Sequence, residues 1–252
     1  MSNLIQEEPT HCKNCGQTLY GEFCSQCGQS ARVRRITFKD TFNHFLSSAF
    51  AFEGPYVSTI RKLLRNPGAV FRDYCSGKRK QFYQPVAFFI LNTAIYLLIR
   101  SWIDFNPMAG RDPSIDLSQM REMQLKLYEA GRYMVDHINN ILFLLVFSIG
   151  ISNKIFFNKR YNLAEYSTYG FYLTGLYILL GVPLMLVSKY VTFIPSQANI
   201  VVLFGVLFYA SYSLFLSTSL WAIIKYLFVT FLSILLYMIL GFGLSFLIVY
   251  LG

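Results

Sequence analysis

Two pairs of cysteines carry the most specific chemistry in this 252-residue chain: Cys12-Lys-Asn-Cys15-Gly16 and Cys24-Ser-Gln-Cys27-Gly28, with eight residues between them. A Cys-x-x-Cys turn presents two thiolates, and two such turns facing each other build the four-sulfur tetrahedron that Zn²⁺ prefers in closed structural sites. The glycine after each second sulfur supplies backbone freedom for the turn. Between the pairs, Gln17-Thr-Leu-Tyr-Gly-Glu-Phe23 predicts one tight hairpin around Gly21. A segment this short buries no core, so metal binding would supply most of its folding free energy. A pair of redox dithiols is the rival reading, but no βαβ pattern surrounds them. His11 stands beside a complete set of four thiols and reads as a bystander. A closed four-thiolate shell offers no open position to a substrate, so the expected role of zinc is structural.

The rest of the chain must position this head, and its composition says where. It is 54% hydrophobic and only 14% charged, against about 25% charged residues in soluble domains. That excludes an ordinary water-soluble enzyme. The net charge is +9. Residues 1–84 hold 12 of the 22 Lys and Arg, whereas residues 199–252 hold only Lys225. A basic head on a membrane-embedded body follows. The N-terminus lacks the basic flank and apolar run of a secretory signal peptide, so it is expected to stay in the cytosol.

A basic amphipathic region is predicted over 31–84. Phe38, Phe42, Phe45, Leu46, Ala49 and Phe50 recur at helical spacing, with Thr37 and Asp40 as a capping pair. In a second helix, 56–65, Val57, Ile60, Leu63 and Leu64 oppose Arg61, Lys62 and Arg65. Asn66-Pro67-Gly68 then starts a third short helix ending at Cys75. These helices are too short to span a bilayer and suit its interface, with a small soluble helical bundle as the alternative. Ser76-Gly77-Lys78-Arg79-Lys80 leads straight into an apolar run, where a basic cluster attracts anionic headgroups. Arg61, Lys62, Arg65, Arg72, Lys78, Arg79 and Lys80 are therefore the candidate contacts to lipid or a partner. Gly77-Lys78 is no nucleotide loop, because Arg79 stands where Ser or Thr would hold magnesium. Nucleic acid is not favoured: no aromatic residue is interleaved with Arg32, Arg34 and Arg35. Cys75 reads as a small apolar residue.

Five segments are apolar enough to cross a membrane: 85–103, 138–157, 164–188, 199–221 and 225–251. Lys and Arg concentrate before the first span, at 154–160 and at Lys225. The alternate loop, 104–137, carries six acids against four bases. By the positive-inside rule the N-terminus is cytosolic and the C-terminus outside. Asn162 and Glu165 predict a capping box for the third span. Gly170, Gly175, Gly181, Gly205, Gly241 and Gly243 read as close-packing positions, and Ser211 to Ser219 as interhelical hydrogen-bonding groups. A helix at 117–134 is expected in the outer loop. No nucleophile–base pair, catalytic metal site or phosphate loop is apparent, and His137 has no partner in sequence.

Taken together, Cys12, Cys15, Cys24 and Cys27, then Arg65-Asn-Pro67-Gly68, Tyr74, Gly77-Lys78-Arg79-Lys80, Tyr83 and Pro85, resemble an uncharacterised bacterial family of zinc-ribbon multi-pass membrane proteins (domain of unknown function 3667). The resemblance covers residues 10–100 and implies architecture and location, a multi-pass protein of the cell's inner (plasma) membrane, with no activity. The expected fold is an all-α integral membrane protein: a zinc ribbon at 1–30, basic amphipathic interfacial helices at 31–84, and a five-span domain at 85–252. The expected function is non-enzymatic, a zinc-ribbon cytosolic docking platform for a protein or anionic lipid. The alternative is a passive transporter or channel lined by polar residues such as Asn92.

Overall fold

The computed structural model describes residues 10–39, 55–106, 121–192 and 194–251. Within them lie eight helices: α1 (Tyr56–Arg65), α2 (Pro67–Ser76), α3 (Pro85–Trp102), α4 (Glu122–Asp136), α5 (Ile138–Phe156), α6 (Leu163–Tyr190), α7 (Ser196–Phe215) and α8 (Leu220–Leu251). The stripe at 42–50 and the residues Asp40, Leu117 and Met120 lie outside the described residues.

The protein is an all-α, multi-pass membrane protein. Helices α3, α6, α7 and α8 are each long and apolar enough to cross a bilayer, and α4 with α5, bent by 88° at their junction, passes the same test only as a pair, which gives four to five candidate spans among the described residues. Only Ala130 and Met134 of α4 are buried, and the helix packs against α8.

Helix α6 is the central mast. Every residue from Ala164 to Leu176 is buried, with α3, α5, α7 and α2 packed around it. Small residues allow the approach: a Cβ on Gly170 would run into the Val146 carbonyl of α5, and one on Gly175 into Phe88 of α3. Gly241 of α8 likewise faces Ile141 and Met134. Gly205 and Gly243 instead have nothing within 4 Å of an added Cβ, so the close-packing reading does not extend to them. Helix α8 keeps Phe228, Phe231, Ile239 and Leu247 exposed, an apolar surface suited to lipid.

The helix starts obey local chemistry. Asn162 Oδ1 accepts from the Glu165 N–H at 2.8 Å, and a Glu165 carboxylate oxygen accepts from the Asn162 N–H at 2.7 Å, the reciprocal capping box. Asn66 caps α2 by accepting from the Ala69 N–H at 2.9 Å, with Pro67 in the first turn.

One boundary moves. The fourth span stops at Phe215, because Leu216 turns into the left-handed region at φ 55°. Ser217 to Ser219 form the link, and Lys225 falls inside α8 rather than in a loop. The link expected between the spans ending at 221 and beginning at 225 is thus 216–219, and Ser217-Thr218-Ser219 are turn residues, with Ser219 capping α8.

The short helices join the helical body. Helix α2 buries Pro67, Gly68, Val70 and Phe71, and the Phe71 ring stacks on Tyr169 of α6 at 4.7 Å. Helix α1 rests on it and leaves Val57, Leu64, Arg61 and Arg65 exposed. The Tyr56 hydroxyl donates to Asn92 Oδ1 of α3 at 2.7 Å.

Candidate metal centre and its seam with the helices

The sulfurs of Cys12, Cys15, Cys24 and Cys27 all lie within 4.8 Å of one another. The cross-knuckle pairs Cys12–Cys27 and Cys15–Cys24 are 3.6 and 3.5 Å apart. These are not disulfides, which require about 2.05 Å, and all four are free cysteines. The cluster is able to hold a metal ion.

Each knuckle closes on itself. The Gly16 N–H donates to the Cys12 carbonyl and the Cys12 N–H to the Gln17 carbonyl. The same two bonds recur twelve residues later, from Gly28 to Cys24 and from Cys24 to Gln29, all at 2.8 Å. Gly16 and Gly28 adopt φ of 79° and 69°, where a side chain would be strained. Bridges pair His11 with Thr18 and Phe23 with Ser30. The single hairpin expected between the knuckles is therefore two small loops, one wrapped around each. Inside the second loop the backbone N–H of Cys27, and next that of Gln26, favour the Cys24 thiolate and lower its pKa to about 7. The Cys15 thiol, 3.5 Å from that of Cys24, moves the opposite way.

The two knuckles differ in what lies beside them. Gln17 is exposed, whereas its repeat counterpart Gln29 is buried. The Gln29 amide nitrogen donates to the Gly77 carbonyl at 2.8 Å, and its oxygen accepts from the N–H groups of Arg79 and Lys80 at 3.1 and 3.2 Å. Asn14 adds a bond from the Gln81 N–H. Gly77 makes this surface possible. At φ 109° it ends α2 left-handed, the Lys78 N–H bonds back to the Asp73 carbonyl, and a Cβ there would meet Lys13 of the ribbon.

A second attachment lies at the mouth of α6. Arg35 grips Glu165 with two bonds of 2.9 Å, and the contact raises the Arg35 pKa. Asn162 also donates to the Ile36 carbonyl.

The seven predicted cations divide. Arg72 donates to the Ser213 and Leu214 carbonyls at 2.7 and 2.8 Å, satisfying carbonyls left over at the C-terminus of α7. Lys62 bonds Gln81 and sits over the Phe82 ring at 4.8 Å. Lys78 pairs with Asp73 at 3.0 Å. Arg79 donates to the Arg34 carbonyl and lies over Tyr74 at 5.7 Å. Arg61, Arg65 and Lys80 remain exposed. Asn92 is occupied by Tyr56 and by the Phe88 carbonyl, so it acts as a structural contact in α3.

Sequence reasoning missed Gln29, Arg35 with Glu165, and an aromatic pair on the ribbon. Tyr20 and Phe23 are 90% and 65% exposed, although the Phe23 backbone pairs with Ser30 beside the Gln29 contact. Nothing in the repeat distinguishes Gln29 from Gln17. The aromatics were legible as β-formers flanking Gly21, but their exposure was not.

Fold and site together define a multi-pass membrane protein bearing a four-cysteine metal-binding head. The sequence model of a family described as "Protein of unknown function (DUF3667)" matches residues 57–97, which take in α1, α2, the basic linker and most of α3. Neither a curated protein nor a solved structure matches the chain. Within the matched stretch several motif residues have a mechanical task. Asn66 and Pro67 start α2, and Gly68 lies against the Ser213–Leu214 backbone. Gly77 receives the ribbon, and the Tyr83 carbonyl accepts from Tyr172 at 2.6 Å.

Proposed function

We propose that the chain is a non-enzymatic protein of the cell's inner membrane whose zinc ribbon is a cytosolic docking platform. Zinc fits the donor set: a Zn–S bond of about 2.3 Å places tetrahedral sulfurs about 3.8 Å apart, close to the 3.5 and 3.6 Å of the cross-knuckle pairs. Orientation with the ribbon in the cytosol rests on the distribution of Lys and Arg. One observation carries the docking reading. The ribbon is held through Gln29, Asn14 and Arg35, while Tyr20 and Phe23 stand in solvent. Exposed aromatics on a rigid support are the usual anchors of a protein partner, and the exposed Arg61, Arg65 and Lys80 suit anionic headgroups beneath it.

The test is cross-linking in native membranes with Tyr20→Ala/Phe23→Ala, Cys24→Ser/Cys27→Ser and wild type side by side. Wild type and the aromatic variant should each retain one zinc per chain, and the cysteine variant none. All three should insert equally, and the partner seen with wild type should be lost from both variants. Unchanged cross-links in both would end the docking reading.

A further inference from the structure

The ribbon-side ends of the spans leave a groove of about 560 Å³ that contains no ribbon residue. One wall is the turn at 156–160 between α5 and α6. The other is the turn after α7 together with the first turns of α8. Its floor is an aromatic stack: Phe157 on Phe215 at 3.8 Å between ring centroids, and Phe215 on Tyr226 at 6.0 Å. The 156–160 turn is fixed by Lys154, whose amine donates to the Asn158 and Tyr161 carbonyls.

Three cations line this groove, Lys159, Arg160 and Lys225, and no carboxylate does. The Arg160 guanidinium lies over the Phe215 ring at 5.4 Å, which sets it above the floor. None of the three has an ion pair among the described residues, and the nearby Glu165 is already held by Arg35. Ser217 and Ser219 add hydroxyls. The depth of the groove relative to a membrane follows from α8. Its 32 residues span about 48 Å, well beyond a hydrocarbon core of about 30 Å, so the turns around Lys225 reach headgroup level. Trp221 beside it is 75% exposed, as an interfacial aromatic is.

We propose that this groove binds the phosphate-bearing headgroup of an anionic phospholipid from the leaflet beside the ribbon. The phosphate sits among the three cations and the serine hydroxyls, and the acyl chains run onto the exposed apolar side chains of α8. The site is separate from the cations of residues 61–80 and does not depend on a partner at the ribbon.

The full chain in neutral detergent is titrated with phosphatidylglycerol or phosphatidylcholine, and bound lipid is counted by native mass spectrometry. One phosphatidylglycerol should bind at a concentration about a hundredfold below phosphatidylcholine, at roughly fivefold per cation. Lys159→Gln and Lys225→Gln, at exposed positions, should each lose roughly fivefold of that preference, and the triple variant with Arg160→Gln should lose it entirely. Arg61→Gln/Arg65→Gln should retain it. Wild-type preference in the Lys159 and Lys225 variants, or its loss in the Arg61/Arg65 variant, would overturn the proposal. So would displacement of the lipid by millimolar inorganic phosphate, which would identify a free anion as the occupant.

Discussion

Arg35 and Glu165, 130 residues apart in the chain, meet through a two-pronged contact of 2.9 Å on each side. The carboxylate is 5% exposed and the guanidinium 63%, so the two partners do not lose equally when separated. Glu165 also completes the cap of α6, and one side chain therefore starts the central helix and anchors the segment that carries the ribbon.

Removal of either partner should be felt, by different routes. Glu165→Ala loses a cap and a partly screened pair, together about 2 kcal/mol. Arg35→Ala leaves a buried carboxylate with fewer donors, a cost of about 1–3 kcal/mol. A double-mutant cycle, read by unfolding in mixed micelles, should return a coupling of about 1 kcal/mol; zero coupling would mean that the contact does not anchor the ribbon.

Gly68 should be the least replaceable glycine of the short helices. An added Cβ would overlap the backbone of Ser213 and Leu214, and the Gly68 N–H donates to Ser213 Oγ at 2.8 Å. Gly68→Ala should cost about 3 kcal/mol or more, because backbone on both sides must shift. Gly205→Ala, with nothing within 4 Å, should lie within about 1 kcal/mol of wild type. Thermal unfolding of the two variants decides it.

Stripping the metal should loosen a stretch of backbone that contains no ligand. The Arg79 and Lys80 N–H groups bond to Gln29, which the second knuckle positions. Hydrogen exchange at those two amides should speed up on chelation and in Gln29→Ala, while Gln17→Ala should leave it unchanged. Helical circular dichroism should barely move in any of these cases, since the spans hold their own hydrogen bonds. Equal protection with and without metal would show that the seam survives an unfolded ribbon.

Cys75 should be the slow thiol. Burial, and after it the Glu165 carboxylate, push its pKa well above the usual range, and only thiolate reacts. At pH 8 its alkylation should be at least roughly tenfold slower in the folded chain than in denatured chain, and should accelerate as the solution is made more alkaline. Peptide mapping after timed alkylation would measure it, and equal rates would refute the assignment.

Much of the architecture was legible because its causes are local. The cysteine spacing, the Asn66-Pro67 start, the Asn162–Glu165 cap and the apolar runs each lie within a few residues. What escaped depended on distance. Arg72 reads as a lipid-facing cation until α7 is seen to end beside it, and Gly68 reads as a helix start until Ser213 supplies its partner. The end of α7 escaped for another reason: Leu216 takes a left-handed conformation that glycine would have announced. The position of α2 was hidden too, since an amphipathic pattern specifies one buried face without saying what buries it.

All three partners of Gln29 are main-chain atoms of Gly77, Arg79 and Lys80. The Arg79 guanidinium also holds the Arg34 carbonyl, but at the exposed position 80 the joint is blind to side-chain identity. Charge there is free to be traded for polarity or reversed in sign, retuning the taste of this surface for different leaflets, while the metal head stays seated. Positions 77 and 79 are denied that latitude.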